Sequence, residues 1–229
     1  MSFSIQSAIN EACKSEDREK TSWYASDMGK CLSGVYYARM GLPVAPKDDR
    51  LLRVFKCGNI FEDFVLESAA KHMKVERPET MSLKEFDLRV RPDAIVNDEV
   101  VYEVKSVHSR KFTWMGKEGP DKHHLQQLWW GMKATGKQEG RLIYVSKDDL
   151  RVAEYRLLLT DPEISTACLS EIAILQEAWK TKTPPEPVPT FVNGKLNWKA
   201  QYCDYHQHCL GDPNWLANIK DGVEKGNNE

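Results

Sequence analysis

Asp93 and the tripeptide Glu103-Val104-Lys105 stand nine residues apart in RVRPDAIVNDEVVYEVKSV, on either side of the polar turn Asn97-Asp98-Glu99. If both flanks are β-strands, alternate side chains share a face, so Glu103 and Lys105 project together while Tyr102 and Val104 face the other way. An antiparallel pairing returns Asp93 to cross-strand reach of Glu103. Two carboxylates held this way can fix a divalent ion, which polarises a phosphate and supplies hydroxide for phosphodiester hydrolysis. Lys105 beside that ion is suited to orient the attacking water and to offset phosphate charge. A same-face ion pair on a solvated sheet, worth roughly a few tenths of a kcal/mol, is the competing account of the same residues.

Two further segments supply candidate partners. Glu62 follows Gly58-Asn59-Ile60-Phe61 and heads a helical stripe of Leu66, Ala69 and Met73. A carboxylate placed there is partly desolvated and needs a counter-charge such as a metal ion, although Asn59 and Glu62 also have the spacing of a capping box. In HHLQQLWWGMKATG, residues 123–136, helical spacing puts His123, Gln126, Trp130 and Lys133 on one side and Leu125, Leu128, Trp129 and Met132 on the buried side. Gln126 then suits a phosphate or a metal-bound water, and Trp130 a base or sugar; a solvated Gln-Gln pair is the ordinary alternative. The segment KSVHSRKFTWMGK, residues 105–117, carries Arg110 and Lys111 with interleaved aromatics, either a stretch that contacts a nucleic-acid backbone or a solvated loop.

These residues need a frame, and the pattern along the chain predicts one. A short helix over 3–13 precedes the charged run KSEDREK. A second helix is expected from Ser26 or Asp27 to Gly41, and a third from Asn59 to Met73 after a polar loop at 45–50. Strands follow at 86–91, 93–96 and 100–106, then a helix over 120–134 opened by Pro120 and closed by Gly136. A strand pair at 141–146 and 151–159 leads into a helix over 162–180, the proline-rich 183–189 and a Trp- and Cys-bearing segment from Trp198 to Trp215. Helices and strands in this order imply an α/β core.

The 229 residues are 41% apolar and 29% charged, which suits one folded domain of 1–229, with segments 22–41 and 198–215 appended to a 55–180 core. With 32 basic against 34 acidic residues the net charge is -2, so any nucleic-acid contact rests on a local groove. No run of eighteen apolar residues and no signal-peptide pattern is present, and a cytoplasmic location without membrane partners is expected. Six cysteines in a reducing compartment argue against structural disulfides. Cys13, Cys57 and Cys168 read as small core residues, whereas Cys31, Cys203 and Cys209 stand apart, the last two in a polar tail with histidines.

Together these elements resemble the PD-(D/E)xK nuclease superfamily in its RecB-like branch, over about Cys31 to Cys209. The resemblance implies a restriction-endonuclease-like core, a small mixed sheet flanked by helices, with the N-terminal helical and C-terminal Cys-containing segments closing on each other. Gly58 with Glu62 looks like the family's glycine and helix carboxylate, Asp93 like its aspartate, and Glu103-Val104-Lys105 like its Glu-x-Lys. Gln126 matches its glutamine, with Trp130 where the family has tyrosine, an exchange that removes a hydroxyl. What this implies is a Mg2+- or Mn2+-dependent exonuclease for single-stranded or frayed DNA ends, with Glu62, Asp93 and Glu103 as metal ligands, Lys105 and Gln126 as catalytic partners, and Arg110, Lys111 and Trp130 against substrate. A non-catalytic DNA-binding or assembly subunit and a site-specific endonuclease are the alternatives.

The branch that fits best is the CRISPR-associated and phage-encoded exonucleases, which hold an iron–sulfur cluster with one early and three late cysteines. By that resemblance Cys31, Cys203 and Cys209 are cluster ligands, an integrase or recombination protein is a partner, and the host cytoplasm is the location if the chain is phage-encoded. The remaining family cysteine falls at Ala200, so a fourth ligand would have to come from His206, His208, Cys57 or outside the chain. Cys31, Cys203, His206 and Cys209 equally suit a tetrahedral zinc site, and loss of the metal is the third option.

Overall fold

Period-2 burial organises the centre of the chain, and the computed structural model describes it within residues 4–14, 20–212 and 214. Most of the charged run and Trp215 lie outside the described residues. In chain order the elements are α1 (Ile5–Cys13), β1 (Trp23–Tyr24), α2 (Leu32–Arg39), α3 (Asp49–Ala70), β2 (Val75–Glu76), β3 (Met81–Leu83), β4 (Leu88–Val90), β5 (Ala94–Val96), β6 (Val100–Val107), α4 (Ser109–Glu118), α5 (Lys122–Thr135), β7 (Glu139–Ser146), β8 (Val152–Leu158), α6 (Pro162–Thr181), β9 (Phe191–Val192), β10 (Lys195–Leu196), α7 (Trp198–Gln201) and α8 (His206–Cys209). The result is an α/β fold of restriction-endonuclease-like architecture, a mixed sheet flanked by helices, as the sequence implies.

The described residues form two compact units, one drawn from 1–21, 30–57 and 178–229 and the other from 22–29 and 58–177. The second holds a five-stranded sheet in the order β2-β5-β6-β7-β8, antiparallel except for the parallel β6–β7 pair, and a smaller sheet ordered β1-β4-β3. The parallel step needs a long crossover, which α4 and α5 provide, and α5 packs against both β6 and β7. Leu128 of α5 presses on Gly140 of β7, where a Cβ would stand 2.8 Å from its Cδ1, so that glycine lets helix and sheet close together. Leu66, Ala94, Val104 and Ile143 form a buried cluster joined by Val65, Val75 and Tyr102. Val104 and Tyr102 therefore face the apolar side of β6, as alternation requires.

The first unit gathers α1, α2, the start of α3 and the segment after α6. Tyr36 of α2, almost fully buried, meets Trp179 edge-on at 5.9 Å between ring centroids. Tyr205 donates its hydroxyl hydrogen to the Leu42 carbonyl at 3.2 Å, fastening the region of α8.

Several boundaries differ from the sequence expectation, each for a local reason. The second helix starts at Leu32 rather than near Ser26, because Trp23–Tyr24 pairs parallel with β4 and Gly29 turns the chain at φ +79°. The third starts ten residues early: Asp48 accepts the Leu51 N–H at 2.6 Å, a cap inside what reads as a polar loop. Glu62 therefore lies mid-helix, which removes the capping-box account. The basic segment after Lys105 is helix α4, opened by His108 Nδ1 accepting the Lys111 N–H at 3.4 Å. Cys57, expected in the core, is exposed. No helix among the described residues is long and apolar enough to cross a membrane.

Candidate functional site

Asn97 and Asp98 take left-handed conformations, φ +52° and +62°, within the three-residue turn Asn97-Asp98-Glu99 that joins β5 to β6. The register pairs Ala94 with Tyr102, which sets Asp93 opposite Glu103. Asp93 Oδ2 accepts the Val104 N–H at 2.7 Å, and Glu103, 2% exposed, is paired with Lys105, whose side chain is 24% exposed. This is not the solvated surface pair that the spacing also allowed, because one partner is removed from water.

Burial sets the electrostatics. It pushes the Glu103 carboxyl up to about 8, with Asp93 adding to the rise and Lys105 opposing it. Asp93 is likewise pushed up by burial, against the pull of Lys105 and the Val104 N–H. Glu62, half-buried on α3, is raised by burial and then by the charge of Asp93. Burial pulls the Lys105 ammonium down, but Glu103, Asp93 and Glu62 outweigh it and the net shift is upward. Three carboxyls thus sense one another around a single buried-side ammonium, and each would be relieved by added positive charge. Arg77 and Arg91 also act on Asp93 and Glu62, and carboxylate oxygens are the ligand type that Mg2+ and Mn2+ take.

Helix α5 arrives differently from its helical-wheel assignment. Gln126 is 4% exposed, and its Nε2 has no hydrogen-bond partner. Its Oε1 lies where a Cβ on Gly29 would come within 2.4 Å, so the positive-φ glycine and this side chain require each other. Trp130, expected to wall a substrate, is fully buried between Phe86 and Trp129, with ring centroids at 5.1 and 4.9 Å. It belongs to the core. Arg110 on α4 is exposed, while Lys111 is committed to Asp121 at 2.6 Å and lies 4.3 Å from the centroid of Trp114, a ring 49% exposed.

The structure also assembles a group that the sequence reading passed over. Asp121, His123 and His124 place ligand atoms within 4.8 Å of one another at the head of α5. His124 Nδ1 is 2.7 Å from the Tyr144 hydroxyl of β7 and 3.9 Å from Asp121 Oδ2. The string Asp-Lys-His-His is the signal that could have found it, since adjacent histidines beside a carboxylate are metal-ligand types.

That group overturns the iron–sulfur expectation. Among the described residues the convergent metal-competent side chains are carboxylate and imidazole, and no cysteine belongs to such a set. Cys31 Sγ lies 3.1 Å from Ser33 Oγ, Cys209 Sγ approaches the same hydroxyl at 3.9 Å, and His206 joins neither. Ala200, 1% exposed, fills with a methyl the place where the resemblance called for a fourth thiol. The alternative Cys3His zinc site fails on the same observation.

No protein-family model matches the chain, and no curated protein matches it. Solved structures do. An alkaline exonuclease from Laribacter hongkongensis superposes with a TM-score of 0.52 at 19% identity, over 72% of this chain and 94% of that one. The same exonuclease in complex with dAMP gives 0.53 at 19%, over 71% and 93%. The protein SSO0001 gives 0.52 at 18%, over 87% and 91%. At these identities the likeness establishes a shared fold alone, and it does not single out the RecB-like, CRISPR-associated branch.

Proposed function

We propose that this chain is a divalent-metal-dependent deoxyribonuclease that acts at DNA ends. The observation that supports the reading is the buried pair Asp93 and Glu103 with Lys105 and Glu62 beside it, carboxyls that raise one another's proton affinity in a desolvated position. Asp93, Glu103 and Glu62 would hold Mg2+ or Mn2+, and the bound ion would supply the positive charge that makes a phosphate electrophilic and a water acidic. Lys105, held by Glu103 and still a quarter exposed, presents an ammonium to the attacking water or a phosphate oxygen. Gln126 holds an unused amide N–H in a water-poor position, available to a substrate oxygen. With Trp130 removed from consideration, the exposed ring of Trp114 beside Arg110 and Lys111 is the better stacking surface for an unpaired base. That a similar fold is described as an exonuclease, and has been seen with dAMP, supports end-directed action on DNA without establishing it.

Labelled linear and circular DNA incubated with Mn2+ or with chelator tests this. Nucleotides released from linear DNA only, and only with metal, are the expected outcome. Cut circles would favour an endonuclease, and inertness on both a non-catalytic DNA-binding role.

Proton competition gives a second expectation. Glu103 keeps its proton to about pH 8 against an ordinary 4.5, so its neutral form stabilises the metal-free fold and that contribution declines as pH rises from 4.5 through 8. Mn2+ must displace this proton. Its affinity should therefore rise about tenfold per pH unit for each proton released between pH 6 and 8, then level off. Titration calorimetry at several pH values reads this directly, and a flat profile over that range would remove the carboxylate site. Substituting His123 and His124 by Ala separates the two candidate sites, because the carboxylate site should keep its pH-dependent affinity.

A further inference from the structure

Asp121, His123 and His124 converge at the head of α5, and the nuclease reading gives them no task. Each offers a ligand atom within 4.8 Å of the others, and all three are partly buried. Two features set the group apart from a chance surface cluster. Successive side chains on a helix point about 100° apart and do not ordinarily face each other, yet the rings of His123 and His124 lie 3.9 Å apart between centroids. Asp121 holds the N-cap position, where an aspartate usually accepts a backbone N–H of the first turn, but its side chain makes no such bond. Its Oδ1 instead takes the Lys111 ammonium at 2.6 Å, and its Oδ2 lies 3.9 Å from His124 Nδ1.

The surroundings hold both rings in place. Tyr144, fully buried on β7, brings its hydroxyl to 2.7 Å from His124 Nδ1 and accepts the Asp121 N–H at 3.2 Å. His123 is seated against Gly29, where an added Cβ would stand 2.5 Å from the histidine Cβ. Outer contacts of this kind orient metal-bound imidazoles.

We infer that these three residues form a second metal site, one for Zn2+, which fastens the head of α5 to β7. Two imidazoles and a carboxylate are a donor set that zinc takes, with a fourth position left to water. Around a tetrahedral ion with bonds of about 2.1 Å such donors stand roughly 3.4 Å apart, so the present spread is within reach of side-chain rotation. The identity of the ion follows from what opposes it. The positive end of the α5 dipole and the Lys111 ammonium both repel a cation here, so diffuse attraction does not hold one and only direct coordination can. Mg2+ takes oxygen ligands and keeps its waters, whereas Zn2+ binds imidazole. The site adjoins the nuclease carboxylates without sharing them: Tyr144 is the register partner of Lys105, and Gln126 follows on the same helix. A bound ion therefore stiffens the frame on which both of those groups stand.

The test uses the full-length chain, stripped with chelator and brought to dialysis equilibrium with Zn2+ in an excess of Mg2+. Elemental analysis should find one bound zinc per chain. That zinc should shield His123 and His124 from diethyl pyrocarbonate, read by peptide mass mapping of the unsubstituted protein. Co2+ in its place should give the visible bands of a tetrahedral ion bound by nitrogen and oxygen, without a thiolate charge-transfer band. Tyr144→Phe, which keeps the ring and loses the hydroxyl, should weaken Zn2+ binding about tenfold, while Asp93→Asn should leave it unchanged. No bound zinc, or zinc retained while both histidines react as in the stripped protein, would overturn the proposal; a thiolate band or loss of zinc with Asp93→Asn would then assign the ion to the cysteines or to the nuclease carboxylates. Because shielding is read in the unsubstituted protein and no DNA cleavage is measured, neither a misfolded variant nor failure of the nuclease reading can imitate either answer.

Discussion

Asp93→Asn and Lys105→Ala are each expected to lower metal-dependent DNA cleavage by at least about a thousandfold, while circular dichroism and melting curves stay close to those of the parent. Asp93→Asn is the sharper of the two. The amide oxygen can still accept the Val104 N–H that Asp93 Oδ2 accepts at 2.7 Å, so the β5–β6 hairpin keeps its tie while one negative charge disappears. Removing a charge that burial already penalises should not harm the fold. Lys105→Ala does strip Glu103 of its partner, a change that can cost about 3–5 kcal/mol when the remaining charge is trapped. Here that cost is softened, because Glu103 can take up a proton near neutral pH. The two substitutions also divide the roles: Asp93→Asn should weaken Mn2+ binding, and Lys105→Ala should leave it intact or tighten it, having removed a competing cation. Cleavage that survives in both proteins would end the assignment of this site.

Trp130→Ala has the largest expected effect on stability, about 3–5 kcal/mol. The ring is fully buried and makes edge contacts with Phe86 and Trp129, so its loss leaves a cavity between α5 and the segment before β4. For a chain of this size roughly 2–4 °C of melting temperature is lost per kcal/mol, which places the expected drop at about 10 °C. Trp130→Phe should be far milder, since the indole Nε1 makes no hydrogen bond that phenylalanine would forfeit. DNA affinity per folded molecule should not change in either variant, whereas Trp114→Ala should weaken binding of single strands with little cost to stability. A Trp130→Ala protein that melts like the parent but binds DNA poorly would restore the substrate-facing role.

The hairpin was legible because its signals are local. Alternation along β6, the Asn97-Asp98 turn and the polar pair at Glu103 and Lys105 all operate within a dozen residues, and the register follows from them. Helix α6 was legible for the same reason, with Pro162 at its first position and Asp161 accepting the Ile164 N–H at 2.9 Å. The start of α3 was less so. Asp48 and Asp49 read as loop residues, and only the cap geometry turns them into a beginning.

What the sequence by itself determined is the acidic strand pair and the α/β order around it, because strand alternation, turn chemistry and helix caps are short-range effects. Only the tertiary structure decided which groups are dry and which distant groups meet. It withdrew Trp130 into the core, brought Tyr144 of β7 to His124 of α5, and set Cys31 and Cys209 about the Ser33 hydroxyl. Burial and long-range convergence depend on how whole elements pack, and no spacing within a single segment encodes them. The same packing also turned Glu103 and Lys105 from a pair any hairpin could carry into one whose carboxyl is removed from water.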